Sequence, residues 1–144
     1  MPSRALWFIS GSGLIPFVVC LVLGYTLPDQ RAAASSAFLT YAALTLTFLG
    51  GARWGAELVR APDRPVLGRL VASALPSIVA LAALLPETPP GGALALLVSS
   101  SAAQLAWDVR DARRGLLPAW NARVRTVMTG LGTLCMLALW PLVS

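Results

Sequence analysis

Histidine and lysine are both absent from the 144 residues, so all eleven basic side chains are arginine. Without histidine there is no imidazole to act as a general base or to ligate a metal. Only two cysteines occur, Cys20 and Cys135. They lie far apart within apolar stretches, with no second ligand beside either, so they read as small buried hydrophobes. No metal site is expected, and no cofactor. Charge of either sign is scarce: 12% of residues are charged and 57% are hydrophobic, whereas soluble domains carry about a quarter charged residues. A soluble chain of this length has too much surface to hide so much apolar side chain. An integral membrane protein in a single domain, 1–144, is the reading that remains.

Five apolar runs are present, at about 5–27, 33–59, 66–85, 93–108 and 122–143. A spanning helix needs ~20 mostly apolar residues, so the expected fold is an all-α bundle of five transmembrane helices. The first run is longer than a signal-peptide core, and a polar Pro28-Asp29-Gln30-Arg31 separates it from the alanines that follow. It is expected to be retained as a span, kinked at Pro16, which lacks a backbone donor. In the second run Thr40, Thr45 and Thr47 are tolerable because a threonine hydroxyl can bond back to its own helix. Gly51 and Gly55 fall one turn apart on one face, and Thr126, Gly130 and Thr133 form a second small-residue seam. Both are candidate helix-packing sites, where missing side chains let another helix approach. Pro86 to Gly92, with three prolines and two glycines, reads as a turn.

A pI of about 10.6 raises the question of nucleic acid, but the arginines stand at the ends of apolar runs, where topology determinants belong. No nucleic-acid partner is expected; the lipid bilayer is. If five spans alternate the chain ends, ten of the eleven arginines collect on one side, with only Arg31 on the other. The positive-inside rule then places the N-terminus and the loops after spans 2 and 4 in the cytoplasm and the C-terminus outside.

That topology gathers polar groups at the cytoplasmic face. Arg53 and Glu57 lie four apart on one helix and can pair along it, beside Trp54, a residue suited to the membrane interface. Ser100, Gln104 and Asp108 recur at i, i+4 and i+8, with Asp111 a further turn on and Trp107 at the interface. Arg123 and Arg125 open the last run. Ionisable groups near hydrocarbon are costly and normally pair inside the bundle. The expectation is an interhelical Arg53–Asp108 pair, with Glu57 held by an arginine of the segment after span 4. The cluster either locks the helices together or forms a binding site for a headgroup, an ion or a small anion. No acidic, histidine or lysine side chain falls near the middle of any run, which argues against a proton path through the membrane.

Phe48-Leu49-Gly50-Gly51-Ala52-Arg53-Trp54-Gly55 resembles the F-L-G-G-x-R/H-W-G signature of the domain of unknown function 3429 (transmembrane protein 69-like) family. Asp108 followed by Leu117-Pro118-Ala119-Trp120-Asn121-Ala122-Arg123-Val124-Arg125-Thr126 is similar to that family's second block, an Asp and then L-x-P-x-W-Y-x-x-L-R and a Thr. Here Asn121 stands where the family usually has Tyr, and Val124 where it has Leu. The two blocks cover about a third of the chain. The resemblance implies a small multi-span protein of bacterial inner membranes or mitochondria and implies no activity. It groups Arg53, Trp54 and Asp108 as motif positions.

Three function classes follow. The size, the seams and the lack of a catalytic residue set favour a non-catalytic structural, assembly or accessory component with a protein partner. A small homo-oligomeric transporter or channel is the alternative. An enzyme would have to use Glu57 or Asp108 as its base, with no histidine or metal beside either.

Overall fold

The computed structural model describes residues 4–61 and 63–143, all helix and connecting turns, with no strand among them. Six α-helices follow in order: α1 (Arg4–Ser12), α2 (Ile15–Thr26), α3 (Arg31–Arg60), α4 (Leu67–Ala83), α5 (Pro90–Arg113) and α6 (Ala119–Val143). A 3-10 turn, Pro28–Gln30, leads into α3.

The first apolar run is broken rather than kinked. The helix stops at Ser12 and restarts at Ile15. Pro16 cannot donate to the carbonyl four residues back and would crowd it, so the break falls one turn before the proline, which then occupies the first turn of α2. The freed Gly13 carbonyl accepts the Tyr41 hydroxyl at 2.9 Å. Phe17 packs edge-on against Phe38 and Tyr41, with centroids 4.9 and 5.0 Å apart. The threonines of α3 turn inward on their own helix as expected: Thr40, Thr45 and Thr47 donate to the carbonyls of Ser36, Tyr41 and Ala43.

Helix α3 is the axis of the bundle and packs against α2, α4, α5 and α6. Its 30 residues make a rod of about 45 Å, longer than the ~30 Å hydrocarbon thickness. Phe38, Ala42 and Leu46 of α3 meet Leu94 and Leu97 of α5 and Leu139 of α6 in a fully buried core. Outward, Phe8, Phe48, Val59, Leu67 and Ile78 are left exposed, an apolar exterior that suits lipid and not water.

Among the described residues, four stretches are long and apolar enough to cross a membrane: Arg4–Thr26, Pro28–Arg60, Pro90–Arg113 and Ala119–Val143. Helix α4 is apolar but only 17 residues long, about 25 Å. It lies close against α3, and Gly50 is what permits this. A Cβ there would come within 2.7 Å of the Ser73 carbonyl oxygen and 3.4 Å of the Pro76 ring. The expected seams lie elsewhere. Gly51, Gly55 and Gly130 are exposed, and a Cβ on any of them would meet nothing within 4 Å. Within this chain the close approach uses the glycine next door, because the face of α3 carrying Gly50, Arg53 and Glu57 is the one turned inward.

A candidate functional site at one end of the bundle

Three carboxylates and four arginines close the end of the bundle where α3 and α5 finish and α4 and α6 begin. They alternate in one chain: Arg60, Glu57, Arg69, Asp111, Arg53, Asp108, Arg125. Arg53 is its centre. One guanidinium nitrogen donates to Asp108 Oδ1 at 2.7 Å and the other to Asp111 Oδ2 at 2.6 Å. The planar fork suits this double engagement. Its face stacks on the indole of Trp107 at 4.1 Å from the ring centre, with Arg69 at 5.5 Å from the same ring.

Outside this pair the network continues both ways. Arg125 of α6 donates to Asp108 Oδ2 at 2.7 Å. Arg69 of α4 bridges, donating to Glu57 Oε2 at 2.8 Å and to Asp111 Oδ2. Arg60 closes on Glu57, one turn back in α3. Asp108, Asp111, Glu57 and Arg53 are buried, while Arg60 and Arg69 reach partly to the surface. Each charge taken out of water is therefore matched by a hydrogen-bonded opposite charge, the condition for burying it at all.

The helix ends are fixed locally so that these side chains can meet. Helix α5 stops in a glycine cap: Gly115 takes φ +70°, its N–H donates to Ala112 O, and Leu116 N–H donates to Asp111 O at 2.9 Å. Pro118 ends the turn, and its carbonyl accepts the Asn121 N–H as α6 begins. This tight connection brings Arg125 back beside Asp108.

The expected Arg53–Asp108 pair is present, and Arg125 joins it. Two other expectations are corrected. Glu57 is held by Arg60 and Arg69, not by an arginine from the segment after α5. Nor does Arg53 pair with Glu57 along α3; it reaches across to α5, where two carboxylates are within range of one fork. Trp54 is 42% exposed and Arg123 is exposed, and neither joins the network among the described residues. Gln104 is buried one turn above Asp108, and its Nε2 has no hydrogen-bond partner. Of the polar stripe on α5, Ser101 rather than Ser100 is the fully buried serine.

Arg60 and Arg69 are the network members that the sequence does not place at the site, while it puts Asp111 on the α5 stripe and Trp107 at the interface without a partner for either. Asp111 continues the α5 stripe, and Arg60 is three residues from Glu57, so both had a local signal. Arg69 had none, because only the return of the chain into α4 brings it to Glu57 and Asp111. Beside the network, Arg53, Arg60, Arg69, Trp107 and Leu117 line a pocket of about 20 Å³, room for a water or two.

The chain matches the family described as "Protein of unknown function (DUF3429)" over residues 1–141. It is also similar to "Transmembrane protein 69" of Xenopus tropicalis, 30% identical over 129 residues, which is 89% of this chain and 50% of that protein. The chain thus spans about half the length of the curated relative it matches. No solved structure matches. A match that runs through both motif blocks and all six helices makes this chain a member of the DUF3429 family of proteins of unknown function.

Proposed function

We propose that this chain is a multi-pass protein of the bacterial inner membrane that crosses it five times, with the Arg53 network at the cytoplasmic face. In this reading it is a non-catalytic structural, assembly or accessory component of a larger membrane complex. One observation carries the non-catalytic reading. All six oxygens of Glu57, Asp108 and Asp111 accept hydrogen bonds from arginine. Each of these oxygens is already committed to a guanidinium donor, so a substrate or a cation would have to displace an arginine to engage it, and the adjoining pocket admits nothing larger than water. The network is then a lock that fixes four helices at one end.

The fifth crossing draws support from where the ends of α4 lie. Arg69 near its start is in the network, and Ala83 at its end lines an opening of about 770 Å³ together with Arg31 and Leu142. Arg31 is the single arginine that the alternation of ends assigns to the far side. The name of the Xenopus relative supports membrane residence and nothing narrower. Docking on a partner draws support from Gly51 and Gly55, left uncovered by the chain's own helices.

The alternative, a small homo-oligomeric transporter, draws on Gln104, whose buried unpartnered amide lies on the inner side of the network. Purification from native membranes in a gentle detergent, with mass analysis of what co-elutes, separates the two. A large partner at fixed stoichiometry is the expected result. A lone monomer or homo-oligomer would sink the accessory reading.

A further inference from the structure

Helix α5 has two unlike faces. Ser101, Gln104, Asp108 and Asp111 are buried toward the bundle. The outward stripe runs Ala102, Leu105, Ala106, Val109 and then Arg110, Arg113 and Arg114, lining a groove of about 640 Å³. These positions recur at i, i+3, i+4, i+7, i+8, i+11 and i+12, one side of a helix. The two alanines keep its floor low, leaving room for an occupant, and both are exposed. From Ala102 to Arg113 the helix rises about 16 Å, close to half of the ~30 Å hydrocarbon thickness, which is the depth of one leaflet.

The three arginines at the groove's end are exposed and make no side-chain hydrogen bond or ion pair among the described residues. The carboxylates nearest them in sequence, Asp108 and Asp111, are held by Arg53, Arg69 and Arg125. They are not needed to cap α5 either. Its last carbonyls, on Arg110, Asp111 and Ala112, already accept the backbone N–H groups of Arg114, Gly115 and Leu116. Three positive charges therefore stand unneutralised at the foot of an apolar groove one leaflet deep.

We propose that this face of α5 is a binding site for an anionic phospholipid. The phosphodiester lies on Arg110, Arg113 and Arg114, and one acyl chain lies along Ala102, Leu105, Ala106 and Val109. Guanidinium forks match phosphate oxygens, and basic clusters at the ends of transmembrane helices attract anionic headgroups. The site is separate from the buried network and independent of whether the chain docks on a complex.

The test uses the full chain in a neutral detergent. Native mass spectrometry follows retention of phosphatidylglycerol, phosphatidylcholine or inorganic phosphate. One bound phosphatidylglycerol is expected, with little phosphatidylcholine or free phosphate retained. Each of Arg110→Gln, Arg113→Gln and Arg114→Gln should weaken retention about fivefold, and Arg4→Gln should not. Ala106→Leu, which fills the groove without changing charge, should also weaken it. The tryptophan-detected melting curve verifies that each variant is folded. Equal retention of the two lipids, phosphate bound as well as lipid, or no response to the three glutamines would overturn the site. So would insensitivity to Ala106→Leu, which would leave charge alone as the cause, or a dimer whose second copy covers the groove.

Discussion

Replacing Arg53 by Met removes the cation through which α3 pairs directly with α5 while keeping most of the side chain's length. Arg53 is 7% exposed and its partner Asp108 is 2% exposed, so solvent does little to screen their interaction. After the change Asp108 retains only Arg125, and Asp111 retains only Arg69. Breaking a buried pair from one side costs about 3–5 kcal/mol because a charge is left behind. Losing the stack on Trp107 adds about 1 kcal/mol. Arg53→Met should therefore lower stability by roughly 4–6 kcal/mol, against totals of about 5–15 kcal/mol for whole domains. Tryptophan fluorescence during unfolding in mixed micelles measures this directly, since Trp107 touches the altered side chain. A cycle with Asp108→Asn should give a coupling of about 1.5–3 kcal/mol, changed little by added salt. Arg60→Gln is the internal contrast. That side chain is 34% exposed, so its loss should cost less than about 1 kcal/mol and should shrink further in salt. A loss below about 1 kcal/mol for Arg53→Met, or a coupling within ~0.5 kcal/mol of zero, would refute the lock.

Three further outcomes follow from particular contacts. Gly50→Ala should destabilise the bundle by about 1–3 kcal/mol through the 2.7 Å approach to the Ser73 carbonyl, whereas Gly51→Ala should leave the isolated chain's melting unchanged; equal effects would show that the close packing is misplaced. Gly115→Ala forces a Cβ into φ +70° and should cost about 1 kcal/mol, read from the same unfolding curves. With the native cysteines removed, Glu87→Cys should react with a membrane-impermeant maleimide in intact cells, and Asp63→Cys should react only after lysis. Labelling of both from one side would mean that α4 does not cross.

The composition already dictated helices in a membrane. A chain with so few charges cannot satisfy its backbone in lipid except by helices or a closed barrel, and unbroken runs of some twenty residues suit only helices. The glycine and proline turns separating them were equally local, and so was the capping of α5 at Gly115. The sequence also paired Arg53 with Asp108, since ionisable groups at the ends of neighbouring spans have few partners to choose from. It assigned Glu57 to the wrong arginine: one from the segment after α5 was expected, and the partner was instead chosen when α4 packed on Gly50 and carried Arg69 into the cluster. Trp54 and Trp107 show the same division. Both read as interfacial tryptophans, yet the rotation of α5 against α3 puts Trp107 under a guanidinium and leaves Trp54 exposed. The glycines show it most sharply. Gly50, Gly51 and Gly55 are indistinguishable as residues, and only the angle at which α4 crosses α3 decides which one a neighbouring backbone touches. Composition and periodicity settle what each segment must be, because those demands act within one helix; the partners of each side chain depend on how the helices are turned against one another, and that is decided only by packing.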